Sequence, residues 1–489
     1  LYYIGNHLVP MGAWGMVLLM VPGHALGEEG PFLLNSLICV VGILFFYLTV
    51  RKLYGVGIAT LSTFFLSISV PAIYWSNFLF GNFAALSFLL ISLFFLVKII
   101  KDNNQSIWNY VLCALFLSVF VWLRYESIVC LFLSLPILIF HMKNFDKRKL
   151  FIGVVVFLLL CSPIPILNNH SYGSPFLIGY SLYDEWKEAP ASLSNMEGTG
   201  HGLLEMRGVH EIISYLFPSG FLQEYGFIKG LKLWLSNILN CILYIYPIPT
   251  LIGFLGLLYL TFKKRMDPFL FSGLLISVYF IYREGIGYHW GWGQGGSITA
   301  YYSRYWFIVF ALLSVLSSIF LLRYVKKLFS YKVFAYLLSI VIILHGCIAV
   351  GTGFALLEDV KQEKSDWYEI ECWSRSLPEN SIVVSEFFSQ IIVSRNVLNP
   401  RLIEGMGIYE SLPEKIEKPT QEGICVLSRY IKQLANSGYT VYTIEWAKHQ
   451  GTYLDLPKLL AENNDDLTSE KVQSFKDGDV IVHKIEVAR

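Results

Sequence analysis

Apolar stretches without charge, each about 17 to 25 residues long, recur along the first 350 or so positions of the chain. A helix of that length crosses a hydrocarbon core of roughly 30 Å, and in lipid every backbone polar group needs an internal partner. These runs therefore restrict the fold to a polytopic helical bundle. Only 15% of the 489 residues are charged, against about 25% in soluble domains. The net charge of +1 points to no nucleic-acid partner.

The sequence predicts ten spans, near 31–50, 56–74, 79–97, 107–123, 127–141, 150–166, 236–262, 268–282, 305–322 and 333–352. The loops between them alternate in charge. One set holds Arg51, Lys52, Lys98, Lys101, Lys143, Lys147, Arg148 and Lys149, then Lys263, Lys264, Arg265, Arg323, Lys326, Lys327 and Lys332. The short loops of the other set hold only Arg124, Arg283 and Arg304. The positive-inside rule puts the first set in the cytoplasm. Residues 1–30, a long loop 167–235 and everything after 353 then face outward. The chain opens at Leu1 in mid-pattern, outside, so a further span upstream of Leu1 is expected.

This gives two expected domains, a transmembrane domain over 1–352 and a soluble extracytoplasmic α/β domain over 353–489. The second rests on "NSIVVSEF", "YTVYTIEW" and "DGDVIVHKIEV", which alternate as strands do, and on the helical run "QEGICVLSRYIKQLANSG". It has no glycine-rich phosphate loop and reads as an accessory or recognition module. Cys39, Cys113, Cys130, Cys161, Cys241 and Cys347 fall in apolar spans as small hydrophobes. Cys372 and Cys425 lie in the polar tail, and no zinc-type spacing joins any of the eight.

The spans are nearly free of ionisable side chains, with His345 the clear exception, read as a satisfied bundle histidine. An ion-coupled transporter normally places such groups near the midplane. Here the rare charges collect at one predicted depth, the outer boundary: Arg124 and Glu126 in "WLRYES", Arg283 and Glu284 in "YREG", and Arg304, next to Tyr305, in "YSRYW". Arginine at that depth suits a lipid phosphate through its planar donor fork. The bland alternative is that these arginines snorkel to the interface, or that Arg124 pairs with Glu126. The loop "GIGYHWGWGQGGSITAYYSRY", which holds His289, combines rings that stack on sugars with glycines that admit close approach. The long outer loop opens with "NNHSYGSPFLIGYSLYDEW", which holds Tyr180 and the acidic pair Asp184 and Glu185. Carboxylates there suit acid–base work or acceptor binding.

The order of these motifs is "NHLVPMGAWGMVLLMVPGHALG", a span closing in "RKLYG", then "WLRYES", "YGSPFLIGY", "YSRYW" and a soluble outer domain. It resembles the polytopic GT-C glycosyltransferases, in the branch of the dolichyl-phosphate-mannose–protein mannosyltransferases and aminoarabinose transferases. The resemblance covers about residues 5 to 350. It implies a mainly α, GT-C-like transmembrane bundle and a polyprenyl-phosphate-linked sugar donor used at the outer face. The acceptor would be a lipid, glycan or protein, and no cofactor is required. The family's catalytic aspartate follows its first span. Residues 1–30 hold only Glu28 and Glu29, at the entrance to the next span, so the base is expected upstream of Leu1. The family's basic position ahead of a proline matches His7 before Pro10, and its arginine near the donor phosphate matches Arg304.

The expected protein is an integral membrane glycosyltransferase of the cell envelope. Its donor and acceptor site would comprise Arg304, Tyr305, Arg124, Glu126, Arg283, His289, Tyr180 and His7. The alternatives are a lipid-linked glycan polymerase or ligase, and a lipid-linked glycan flippase or transporter.

Overall fold

Helices form wherever the sequence is continuously apolar, and they break where serine precedes proline. The computed structural model describes residues 2–4, 7–9, 14–27, 30–76, 81–125, 127–172, 175, 235, 245–287, 306–384, 396–398, 409–411, 417–419, 421–446, 467–475 and 480–487. Its contacts divide the chain into two compact units. One comprises Gly12–Leu177 and Glu205–Leu357, the other Leu1–Met11, Ile178–Leu204 and Glu358–Arg489.

The larger unit begins with α1 (Trp14–His24), α2 (Gly30–Tyr54), α3 (Val56–Ser67), α4 (Val70–Trp75), α5 (Gly81–Lys101) and α6 (Ile107–Leu123). It continues with α7 (Ser127–Leu133), α8 (Leu135–His141), α9 (Lys147–Cys161) and α10 (Pro163–Tyr172). After these come α11 (Pro247–Phe262), α12 (Pro268–Gly287), α13 (Phe307–Phe320) and α14 (Tyr331–Ser376). Among the described residues, six stretches are long and apolar enough to cross a membrane: Gly30–Tyr54, Gly81–Lys101, Ser127–Asn144, Lys147–Ser171, Phe307–Leu328 and Tyr331–Thr352. Among the described residues each of the ten predicted spans meets an apolar helix, the span predicted at 236–262 being described as helix over Pro247–Phe262. α1 is an addition, an 11-residue helix in a stretch read as an outer segment.

Three of the predicted spans are broken. The breaks fall between α3 and α4, between α7 and α8, and between α9 and α10. Pro71, Pro136 and Pro163 each sit in the first turn of the following helix, where a missing N–H costs nothing but the preceding ladder is cut. Serines bridge the breaks. Ser69 donates to Leu66 O at 2.7 Å and accepts from Ala72 N at 3.3 Å, and Ser134 donates to Cys130 O at 2.7 Å.

With no solvent to expel, helices in lipid associate through close backbone approach at small residues. A Cβ on Gly42 of α2 would lie 2.2 Å from Ser87 Oγ on α5. On α11, a Cβ at Gly253 or Gly256 would lie 2.9 Å from Leu313 O or 2.5 Å from Leu316 O on α13. Ser317 of α13 also donates to Pro249 O at 2.7 Å, tying the same two helices.

The lysine-rich end of the bundle is knit by carboxylates. Asp267 caps α12, accepting from Phe269 N and Leu270 N at 3.0 Å, and takes the Tyr54 hydroxyl of α2 at 2.9 Å. Lys52 pairs with Asp102 at 2.5 Å.

The described part of the smaller unit is a five-stranded sheet with a helix on each face. Its strands are β3 (Ser381–Val384), β4 (Asn396–Leu398), β7 (Thr440–Trp446), β8 (Leu467–Phe475) and β9 (Val480–Val487), in the order β4-β3-β7-β9-β8. β3 runs parallel to β4 and β7, while β9 runs antiparallel to β7 and β8. Two hairpins stand apart: β1 (Tyr2–Ile4) with β2 (His7–Val9), and β5 (Tyr409–Ser411) with β6 (Glu417–Pro419). On one face Ile370 and Trp373 of α14, with Leu377 just after it, pack on Tyr442, Ile444 and Val482. On the other, Leu427, Ile431 and Leu434 of α15 (Gln421–Asn436) pack on Val384, Val441 and Ile485. The turn from α15 into β7 needs the left-handed Gly438, at φ 87°. The motifs that predicted an α/β unit form its strands and helix. α14 itself runs on past 353 because no proline follows until Pro378 and the intervening residues favour helix.

Candidate functional site

α6 ends at Leu123, and the next residue leaves the helix. Arg124 is the C-cap, with φ −151° and ψ 113°, its backbone N–H still reaching Phe120 O at 3.2 Å. The extended conformation turns its half-buried side chain toward α12, where the guanidinium carbon lies 6.0 Å from the centre of the Phe280 ring. A guanidinium over an aromatic face is held by the ring quadrupole. The neighbouring Tyr125 donates its hydroxyl to Asn168 Oδ1 at 3.3 Å, and the buried Asn168 reaches Pro175 O through Nδ2 at 3.5 Å. The end of α10 is thus tied to the end of α6.

The last turns of α12, which carry Arg283, and the start of α13, which follows Arg304 in sequence, come to this same end of the bundle. Arg283 lies one turn beyond Phe280 in α12; its backbone is helical and its side chain falls outside the described residues. At the start of α13, two residues after Arg304, Trp306 is buried and Phe307 stacks on Phe83 of α5 with ring centres 4.3 Å apart. The first residue of α5, Gly81, abuts the last of α6: a Cβ there would lie 3.5 Å from Leu123 O. The start of α13, the start of α5, the end of α6 and the last turns of α12 therefore touch in sequence, at the end opposite the lysine-rich loops.

Glu126, Tyr180, His289, Arg304 and Tyr305 lie outside the described residues, as do the acidic pair Asp184 and Glu185. His7 is in β2, paired with Ile4, and its side chain is likewise outside them.

Two side chains at the site were not singled out from sequence. Phe280 is the shelf under Arg124. Its signal was its place three residues before Arg283, on the same helical face. Trp306 is 1% exposed, and its indole N–H finds no acceptor among the described residues. Such a donor costs roughly 1–3 kcal/mol when left unmade.

His345, expected to be a satisfied bundle histidine, is buried with one ring nitrogen partnered, while its Nδ1 finds no hydrogen-bond partner among the described residues. The break after α3 frees the carbonyl of Phe65, and His345 Nε2 lies 3.2 Å from it. Its ring meets Phe65 and Tyr246 edge to face, at 5.3 and 5.4 Å. Among the described residues no three His, Cys, Asp or Glu side chains are grouped to hold a metal ion. Cys372 and Cys425 are both free and exposed.

A family model described as dolichyl-phosphate-mannose-protein mannosyltransferase matches residues 8–166. The chain also superposes on ArnT from Cupriavidus metallidurans in the apo state, with a TM-score of 0.55 at 14% identity, covering 99% of this chain and 88% of that one. ArnT bound to undecaprenyl phosphate gives a TM-score of 0.54, also at 14% identity, over 97% of this chain and 88% of that one. The Archaeoglobus fulgidus oligosaccharyltransferase in complex with Zn and sulfate gives 0.53 at 14% identity, covering all of this chain and 65% of that one. No curated protein sequence matches. The chain thus has the polytopic GT-C fold, as its motifs implied, and at this identity the likeness to solved structures is one of fold.

Proposed function

We propose that this protein is a membrane glycosyltransferase that moves a hexose or pentose from a polyprenyl phosphate to an acceptor hydroxyl at the outer face. The acceptor hydroxyl attacks the anomeric carbon while the bond from that carbon to the phosphate oxygen breaks. The electron pair leaves with the polyprenyl phosphate, and an acidic side chain takes the acceptor's proton. Charge develops on the departing phosphate, so donors fixed around it lower the barrier.

The observation that carries this reading is Arg124 held over Phe280 at 6.0 Å, at the end of the bundle opposite the lysine-rich loops, where the end of α6 meets the last turns of α12 that carry Arg283. Arg304, Arg124 and Arg283 would receive the phosphate, and His7 would add a donor there. Tyr305, His289 and Tyr180 would bind the sugar, with Glu126 toward the acceptor. ArnT of Cupriavidus metallidurans, whose fold this chain shares, has been seen with undecaprenyl phosphate bound, which supports a polyprenyl phosphate as the carrier. The buried and partnered His345 gives the transporter alternative no ionisable pathway among the described residues.

The test is sugar transfer from a lipid-linked donor by the full-length protein. Charge-assisted hydrogen bonds are worth about 1.5–3 kcal/mol each, so Arg304→Ala is expected to slow transfer roughly 10- to 150-fold. Arg304→Lys should recover part of this, since it keeps the charge but loses the fork. Wild-type transfer by Arg304→Ala, with normal expression, would remove the phosphate role.

A further inference from the structure

The loop after α5 and the loop after α8 form one rigid surface. Gln105 donates through Nε2 to Asn144 O at 2.7 Å, and Asn144 donates through Nδ2 to Ile100 O at 3.4 Å. Asp146 N donates to the Tyr110 hydroxyl at 3.0 Å, and Tyr110 in turn donates to Gln105 Oε1. These bonds place Lys101, next to Ile100, beside Lys143, next to Asn144, with Lys147 and Arg148 following directly.

The acids within this surface are already engaged. Asp146 accepts from Arg148 N at 3.0 Å and Lys149 N at 3.4 Å and pairs with Lys149 Nζ at 3.3 Å; those hydrogen bonds hold its carboxyl below the usual range. Lys149 is occupied in turn, donating to Gln105 O at 2.7 Å. Asp102 is paired with Lys52. The side chains of Lys101, Lys143, Lys147 and Arg148 are exposed, with no ion pair among the described residues. Beside them, in the first turns of α6 and α9, Trp108 and Phe151 are 67% and 68% exposed. Large apolar rings open to the surroundings next to cations mark the depth at which hydrocarbon meets headgroups. A soluble polyanion would meet the cations but leave the rings in water.

We propose that this paired loop is a binding platform for the headgroup of an anionic phospholipid, held by Lys101, Lys143, Lys147 and Arg148 with the acyl chains against Trp108 and Phe151. The platform is preformed, so lipid binding orders little of the protein. It does not depend on the glycosyltransferase reading.

The experiment uses the full chain reconstituted in bilayers with spin-labelled phosphatidylglycerol or phosphatidylcholine, reading the relative association constant of the motionally restricted lipid. Wild type is expected to prefer phosphatidylglycerol, and added salt should weaken the preference. The variant K143Q/K147Q/R148Q should reduce it at least about 5-fold. The charge-matched control K263Q/K264Q/R265Q, in a separate turn after α11, should change it less than about 2-fold. These cations carry none of the hydrogen bonds that hold the loops, so thermal unfolding should match wild type. No preference in wild type, or an equal drop in the control, overturns the platform and leaves only a diffuse basic surface.

Discussion

The two ends of the membrane bundle use cations differently. At one end lysines predominate, on loops pinned from below by carboxylates and amides: Asp146 and Gln105 under one pair of loops, Asp267 under another. Their side chains project outward and rarely pair. At the other end Arg124, the described cation, ends α6 and lies against an aromatic ring at the meeting of four helices. Strongly hydrated ammonium groups suit a broad field that sets topology and gathers headgroups. A planar guanidinium on a ring suits one phosphate held in one place. The difference teaches that number of charges and precision of placement separate across the bilayer.

The largest expected effect concerns which end faces out. Cys372 and Cys425 are free and exposed in the smaller unit. A membrane-impermeant maleimide should label them in intact cells, and labelling only after permeabilisation would reverse the orientation and move the donor site to the wrong face. The next effect separates the two kinds of cation. Arg124→Ala should reduce kcat/KM for sugar transfer by about 10- to 100-fold, while Lys147→Gln at the opposite end should leave it unchanged. Equal losses would erase the contrast.

A smaller effect tests the pinning of the lysine-rich end. Asp267→Ala removes the cap of α12 and the acceptor of Tyr54, and should cost about 1–2 kcal/mol of stability, read by thermal unfolding in detergent. The smallest comes from Asp146, whose carboxyl is held below its usual range by the N–H groups of the α9 cap and by Lys149. Its contribution is complete above the unfolded-state value and is lost as pH falls through the lowered folded value. Unfolding of wild type should therefore ease on acidification through that interval more than unfolding of Asp146→Asn. Parallel curves would mean that the cap is not formed in solution.

The bundle and the charge asymmetry were legible because both are one-dimensional. Hydropathy gives helix length directly, and among the described residues the ten predicted spans meet apolar helices. The breaks at Pro71, Pro136 and Pro163 were also written in the sequence, as Ser-to-Pro steps inside apolar runs, but apolar length alone concealed them. α1 was missed because it is too short to read as a span, and the run of α14 to Ser376 because its composition turns polar while its helix propensity persists.

Sequence alone determined that this chain is a membrane bundle with lysines at one end, arginines at the other and an α/β unit after it, because hydrophobic length, charge and strand periodicity are local properties of the chain. Only the tertiary structure decided that Arg124 rests on Phe280, that α5 and α13 meet through Phe83 and Phe307, and that His345 caps the Phe65 carbonyl freed by a helix break. Those pairs are separated by many residues. In lipid the neighbours are chosen by which small residues let two backbones approach and which freed carbonyl needs a donor, and neither can be read until the helices are packed.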